Sequence, residues 1–409
     1  MHFEFASASR IIFGDGSAEQ LPKLAREVGR RALLVTDSFQ PDSVSQLMDA
    51  LRNAEGGVGS RGVALTQTRR HRPADSHPSL RLTHFPVSGE PTVEVIDEAK
   101  AIATSAGCDL VISIGGGSVI DTGKASAALI PNEGETLDYL EVIGAGRKLS
   151  DPPLPFIALP TTAGTGAEVT KNAVLGSKAH RVKVSLRDNR MLADIAIVDP
   201  LLTHSVPPAV SASTGMDALT QVLEPFVSHL ANPLTDGMCT EGLRRAGASL
   251  RTVYAEPDNA AARSDMALTS LLGGLALANA KLGAVHGFAG VLGGMYDAPH
   301  GAVCAALLPP VIEANIKALN AREPKSLALK RYQYAAQFLL FDRSATAQDA
   351  MDWISETSRI FSIPGLGAYG LREEDFDEIV AKSSASSSMK GNPIVLSAEE
   401  LSEILYAAL

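Results

Sequence analysis

Two patterns of apolar residues divide this chain. In the first part, short apolar runs end on polar or glycine positions: Ala32 to Thr36 before Asp37, the stretch DLVISIGGGS from Asp109, and Phe156 to Leu159 before a polar turn. Runs of that length without alternation mark strands buried on both faces, as parallel strands are. Helical patterns lie over 17–28 and 93–106, the second placing Val95, Ile96, Ala99 and Ile102 on one face. Strands alternating with helices predict a doubly wound, mostly parallel α/β layer. Beyond about residue 205, alanine- and leucine-rich stretches at 209–230, 236–255, 259–281, 302–318 and 328–341 predict helices. The expected architecture is an α/β domain over 1–186 followed by an all-α domain over 187–409.

One segment fits neither pattern. Residues 55–84 mix Gly, Ser, Pro, Arg and His without a sustained period, which predicts a long loop with Arg69, Arg70, His71 and Arg72 in solvent.

Composition narrows the function classes. With 409 residues, 45% hydrophobic and 20% charged, the chain is long enough for two cores. A formal net charge of −10 excludes the basic surface that a nucleic-acid partner requires. Cys108, Cys239 and Cys304 lack CxxC spacing, so neither a disulfide framework nor a zinc-thiolate site is expected, and Cys108 and Cys304 sit among apolar residues as buried free thiols do. The opening MHFEFASASRIIFG is no secretory leader and no apolar stretch reaches spanning length, so the expectation is a cytoplasmic protein without a membrane partner.

The chemistry concentrates in two turns and one helix face. Gly115-Gly116-Gly117-Ser118 follows a strand and opens a helix, so backbone amides are exposed to an anion without Cβ atoms in the way. A second polar turn, PTTAGTGAEVT, follows the next strand and supplies the hydroxyls of Thr161, Thr162 and Thr165. Turns at strand C-termini are where open α/β sheets bind ligands. Asp37 ends an earlier strand, where a carboxylate accepts hydrogen bonds from a ribose diol and repels a 2′-phosphate, which predicts NAD over NADP. Asp217 and Gln221, four residues apart, share a helix face. His286 on a helix and His300 in a turn after Pro299 add imidazoles, and carboxylate with imidazole suits Fe²⁺ or Zn²⁺.

GGGSVIDTGKA, PTTAGTGAEVT, GMDALTQVLEPFVS and YDAPHGAV, in this order, resemble the iron-containing (group III) alcohol dehydrogenases of the dehydroquinate synthase-like superfamily. The resemblance spans nearly the whole chain outside 55–84. It implies that Gly115, Gly116, Gly117 and Ser118 hold the pyrophosphate with Asp121 nearby. It also implies that Thr161, Thr162, Thr165 and Lys183 line the adenine and nicotinamide-ribose parts of the cleft. The metal set carried over is Asp217, Gln221, His286 and His300, with Gln221 where the family has a histidine. HGFAGVLG stands where many members have HxMAHPLG, so Gly290 replaces a histidine near the nicotinamide, and no proton-relay residue is assigned.

The function implied is a metal-dependent, NAD-linked alcohol dehydrogenase or aldehyde reductase acting on a small alcohol or aldehyde, with Fe²⁺ as the ion and Zn²⁺ second. A homo-oligomer, as a dimer, is expected. The competing readings are a metal-independent reductase of the maleylacetate reductase type and a non-catalytic NAD-binding protein.

Overall fold

The computed structural model describes residues 2–53, 80–177, 179–180, 182–296 and 298–409. Its strands are β1 (Arg10–Phe13), β2 (Arg31–Asp37), β3 (Arg81–Val87), β4 (Leu110–Gly115), β5 (Phe156–Pro160), β6 (Asn172–Ser177), β7 (Val182–Arg187) and β8 (Ile195–Val198). The first helices are α1 (Leu21–Val28), α2 (Asp42–Asn53), α3 (Val93–Ala106), α4 (Gly117–Leu129) and α5 (Thr136–Tyr139). They are followed by α6 (Pro208–Val227), α7 (Pro233–Ala255), α8 (Ala260–Ala280), α9 (Ala284–Met295) and α10 (His300–Arg322). Four more close the chain: α11 (Leu327–Leu340), α12 (Ala347–Ile360), α13 (Phe376–Ser384) and α14 (Ala398–Ala407).

Six strands form one sheet in the order β1-β8-β5-β4-β2-β3, and every pairing in it is parallel. Alternate residues of one strand enter different cores, as a period of two requires. Leu33 and Val35 pack with Ala99 and Ala103 of α3 and Val119 and Ile120 of α4. Leu34, Ile112 and Ile157 pack with Leu24 of α1 and Leu47 and Leu51 of α2 on the other side. The sheet is thus covered on both faces, which is why its central strands read as unbroken apolar runs.

Five strands escaped the sequence pattern: β1, β3, β8 and the hairpin pair β6 and β7. β3 lies in register with β2 from Arg31↔Arg81 to Asp37↔Val87, so residues 81–84 are strand, not part of the loop expected over 55–84. It is an edge strand, which tolerates Pro86 and polar side chains because only one side of it makes ladder bonds. Residues 55–79, with Arg69 to Arg72, lie outside the described residues. β1 and β8 are four residues each, too short for a periodic signal. β8 belongs to the sheet between β1 and β5, so the α/β layer runs past the boundary expected at 186.

The helices after β8 surround a separate core built on α6, which contacts α7, α8, α10 and α11. α10 has the length and apolarity of a membrane span, yet 61% of its apolar window is buried, as in a core helix. α8 and α9 meet at 101°, with Lys281 at φ +59° in the corner, and that bend aims the start of α9 at α6.

α8 also joins the two halves, because Ala267, Leu271 and Leu275 complete the core on one face of the sheet. Its Ser270 Oγ accepts from Gly166 N–H at 3.2 Å. At Gly166, φ is +57° and a Cβ would lie 2.6 Å from Gly274 Cα, while a Cβ on Gly274 would strike the carbonyl oxygen of Gly166. The second polar turn is therefore seated directly on a helix backbone. Gly274→Ala is expected to push the two apart at a cost of about 1–3 kcal/mol. Thermal unfolding should show a lower Tm together with a raised KM for the dinucleotide; unchanged values of both would remove this contact from the account.

Candidate dinucleotide and metal sites

The two polar turns meet at the C-terminal ends of β4 and β5. Thr161 N–H donates to Gly115 O at 3.0 Å. A Cβ on Gly116 would lie 3.6 Å from Thr162, and one on Gly117 would lie 2.8 Å from Thr165 Cγ2. Gly117 is thus required by close approach. No side chain caps α4, so the amides at its start, including that of Ser118, remain open to an anion.

Asp37, at the end of β2, comes within 2.8 Å of where a Gly115 Cβ would sit. Burial raises its pKa above the ordinary carboxylate value, partly offset by a hydrogen bond from Gly116 N–H. The residue expected to choose the ribose therefore also braces the glycine turn. Asp37→Gly is expected to raise the efficiency with NADPH relative to NADH roughly tenfold, because a carboxylate no longer repels the 2′-phosphate. A kcat/KM ratio for the two cofactors that does not move would sink the assignment.

Two other residues of the cofactor set have their polar atoms engaged elsewhere. Asp121 accepts from Val174 N–H at 2.9 Å and pairs with Lys124 Nζ at 3.5 Å. Lys124 is 1% exposed and donates to Ala167 O, Thr170 Oγ1 and Asn172 O. This pair pins the β6–β7 hairpin and the second turn to α4, so Asp121 supports the site through the protein. Lys183 reaches from β7 to α9, with its Nζ 3.2 Å from Glu90 and 3.3 Å from where a Gly293 Cβ would sit. That places it three residues along α9 from Gly290, where a Cβ would meet nothing within 4 Å. The missing imidazole leaves open space.

The candidate metal-binding residues come from three helices. α6 carries Asp217, 2% exposed, and the bend after α8 brings in His286 of α9, 8% exposed. His300 is the first residue of α10, with Pro299 as the N-cap, rather than part of a turn. Its side chain is 38% exposed, so it stands on the open side of the cluster. His286 Nε2 lies 3.1 Å and His300 Nε2 3.8 Å from Asp217 Oδ1.

Two residues joined the cluster that sequence reasoning had not placed there. Glu224 accepts from His286 Nδ1 at 2.7 Å and, through its other oxygen, from Val285 N–H at 2.8 Å. It caps α9 and holds the proton on Nδ1, leaving the Nε2 lone pair aimed at the cluster, as carboxylates behind metal-bound histidines do. The signal was present: Glu224 is seven residues after Asp217, on the same helix face. Cys304 of α10 is the other. Its Sγ lies 3.8 Å from Asp217 Oδ1 and 3.9 Å from His286 Nε2.

Gln221 sits beside Asp217 with its amide hydrogens engaged. Nε2 donates to Gly164 O of the second turn at 3.2 Å, and a hydrogen bond from the amide helps to lower the Asp217 pKa. Its Oε1 is buried with no hydrogen-bond partner among the described residues.

Charges in the cluster compensate one another. Burial pushes Asp217 up, but the hydrogen bond from His286 and the charges of both imidazoles outweigh it and hold the carboxyl below its ordinary value. Burial likewise opposes protonation of His286, yet Cys304, Asp217 and Glu224 raise its pKa well above the ordinary range. A buried carboxylate and two imidazoles facing one point are donors suited to a divalent cation. One ligand atom each from Asp217, His286, His300 and Cys304 fits within 4.8 Å of the others. The residues present therefore fit a divalent ion. A cavity of about 530 Å³, lined by residues such as Phe3, Lys171, Arg187 and Lys281, touches none of them.

Comparison with known proteins shows the family. The profile of the iron-containing alcohol dehydrogenases matches residues 74–200, and that of the C-terminal region of the Fe-containing alcohol dehydrogenase family matches 211–409. Alcohol dehydrogenase 4 of Schizosaccharomyces pombe is 36% identical over 79% of this chain and 74% of its own. The crystal structure of a 1,3-propanediol oxidoreductase superposes with a TM-score of 0.87 at 30% identity, covering both chains in full. Sulfoacetaldehyde reductase from Bifidobacterium kashiwanohense, solved in complex with NAD⁺, superposes at 0.82 with 27% identity over 100% of this chain and 99% of its own. With profiles over both halves, a relative of this identity and a shared fold, the chain belongs to the iron-containing alcohol dehydrogenase family.

Proposed function

We propose that the protein is a metal-dependent, NAD-linked alcohol dehydrogenase and aldehyde reductase, moving hydride between a small alcohol or aldehyde and nicotinamide. The observation that carries this reading is the hydrogen bond from Gln221 Nε2 to Gly164 O, 3.2 Å. It ties the helix bearing Asp217 to the second nucleotide turn, so the metal-binding residues stand beside the dinucleotide cleft.

Asp217, His286 and His300 would hold a divalent ion, Fe²⁺ by family, which would supply Lewis acidity for the alcohol or carbonyl group. The amides of Gly117 and Ser118 take the diphosphate, and Asp37, itself held by the Gly116 N–H, takes the ribose hydroxyls. Glu224 keeps the proton on His286 Nδ1. With no side chain at Gly290, solvent in the open space beside α9 takes the substrate proton. The protein acts in the cytoplasm as a homodimer in this reading, and a monomer in sedimentation at working concentration removes the dimer.

The test is NADH oxidation with a panel of short aldehydes, using enzyme loaded anaerobically with Fe²⁺ or Zn²⁺ and enzyme stripped by a chelator. The rate should fall with the metal and return when it is restored. Equal rates with and without metal favour the metal-independent reductase. Tight NADH binding with no turnover in any state favours the non-catalytic protein.

A further inference from the structure

We propose that Cys304 is a fourth protein ligand of the metal ion, in the position that Gln221 leaves unfilled, making the donor set Asp217, His286, His300 and Cys304. This rests on the assignment of His286, His300 and Asp217 to a metal site, and it departs from the expectation that no thiolate takes part.

Helix geometry makes the placement possible. Cys304 follows His300 by four residues on α10, so both side chains leave the same face one turn apart. The Sγ is 3.8 Å from Asp217 Oδ1 and 3.9 Å from His286 Nε2. The carboxylate oxygen is 3.1 Å from His286 Nε2 and 3.8 Å from His300 Nε2. A tetrahedral ion with metal–sulfur bonds near 2.3 Å and metal–nitrogen or –oxygen bonds near 2.0–2.1 Å has ligand-to-ligand edges of about 3.3–3.6 Å. These four edges, 3.1–3.9 Å, bracket that figure.

Gln221 is the competing fourth ligand, and its contacts count against it. Its Oε1 is buried and makes no hydrogen bond with any member of the cluster. Its amide hydrogens, not its oxygen, are the atoms bonded to Gly164 O and toward Asp217. Cys304 has no such competing bond. It is fully buried and unpaired in a disulfide, and its polar neighbours are members of the same cluster.

The chemistry follows from the donor. A thiolate is softer than an amide oxygen or an imidazole and adds a second negative charge to that of Asp217, so the donor set neutralises a dication and favours thiophilic ions. Binding the ion displaces the thiol proton to solvent. Relative to the same site without sulfur, the preference should move toward Zn²⁺ and Co²⁺ and away from Fe²⁺.

Cobalt reads the ligand directly. The full-length protein, stripped and reloaded with Co²⁺, should bind one ion per chain and show a near-ultraviolet thiolate-to-cobalt charge-transfer band. Cys304→Ser, close in volume, should still bind Co²⁺ but lose the band, and its Zn²⁺-over-Fe²⁺ affinity ratio should fall at least tenfold. Cys108→Ser, which removes a thiol outside the cluster, should keep the band. Stoichiometric Co²⁺ without the band, or a band that survives in Cys304→Ser, overturns the ligand assignment while leaving the metal site intact. An unchanged Zn²⁺-over-Fe²⁺ ratio in Cys304→Ser overturns it as well. Failure of the wild-type chain to bind Co²⁺, Zn²⁺ or Fe²⁺ overturns the metal site itself.

Discussion

Replacing His286 with alanine is expected to strip the bound metal and lower kcat for aldehyde reduction about a thousandfold. The imidazole occupies the centre of the cluster, bonded to Asp217 through Nε2 and to Glu224 through Nδ1. Its loss removes one ligand and leaves two buried carboxylates, 2% and 4% exposed, facing the gap. A Lewis acid contributes several kcal/mol to the transition state, and about 4 kcal/mol corresponds to three decades in rate. Metal content by elemental analysis and kcat at saturating NADH are the two readouts. A variant that keeps its metal, or turns over within tenfold of wild type, would show that His286 is not a ligand.

Glu224→Gln should weaken metal binding 10- to 100-fold, the range for partners behind metal-bound histidines, although Glu224 is not itself a ligand. The carboxylate accepts from two donors, Val285 N–H and His286 Nδ1. An amide has one acceptor and one donor group. If its oxygen serves Val285, its NH₂ meets His286 Nδ1, which must give up its proton and become an acceptor. The proton then sits on Nε2 and blocks the lone pair that faces Asp217. If the amide is reversed, its NH₂ faces the Val285 N–H and the cap of α9 is lost. The first arrangement gives up the tautomer that ligates, and the second sets donor against donor at Val285. Competition titration against a chelator measures the affinity, and a dissociation constant within threefold of wild type would mean that the tautomer is held by something else.

Both variants test a site assembled over long sequence distances, and those distances decided what could be read in advance. The central strands were legible because both faces of each are buried, which forces unbroken apolar runs, as in the fully buried β4 and β5. The long helices were legible because their apolar content is high over many turns. β3 was not, since an edge strand is free to carry Arg81, His84 and Pro86. β8 was not, since four residues hold no period, and its place between β1 and β5 depends on a chain that returns to the sheet after the hairpin.

The site divides in the same way. The glycine turn, the threonine turn and Asp37 could be placed from sequence because each follows a strand directly, and local backbone geometry determines where such a residue points. Asp217, His286 and His300 could be named only by resemblance, because a spacing of 69 residues between Asp217 and His286 carries no geometric information. Glu224 was visible as a helix neighbour of Asp217, but its role depends on the 101° bend that swings His286 toward it from another helix. Cys304 read as one more buried apolar thiol, because burial and composition are identical for a cysteine packed in a core and one packed against a carboxylate and two imidazoles. Strand and helix patterns are set by contacts between near neighbours, which the order of residues records. The partner of a buried polar atom is set by how whole helices cross, and only the packed tertiary structure decides that.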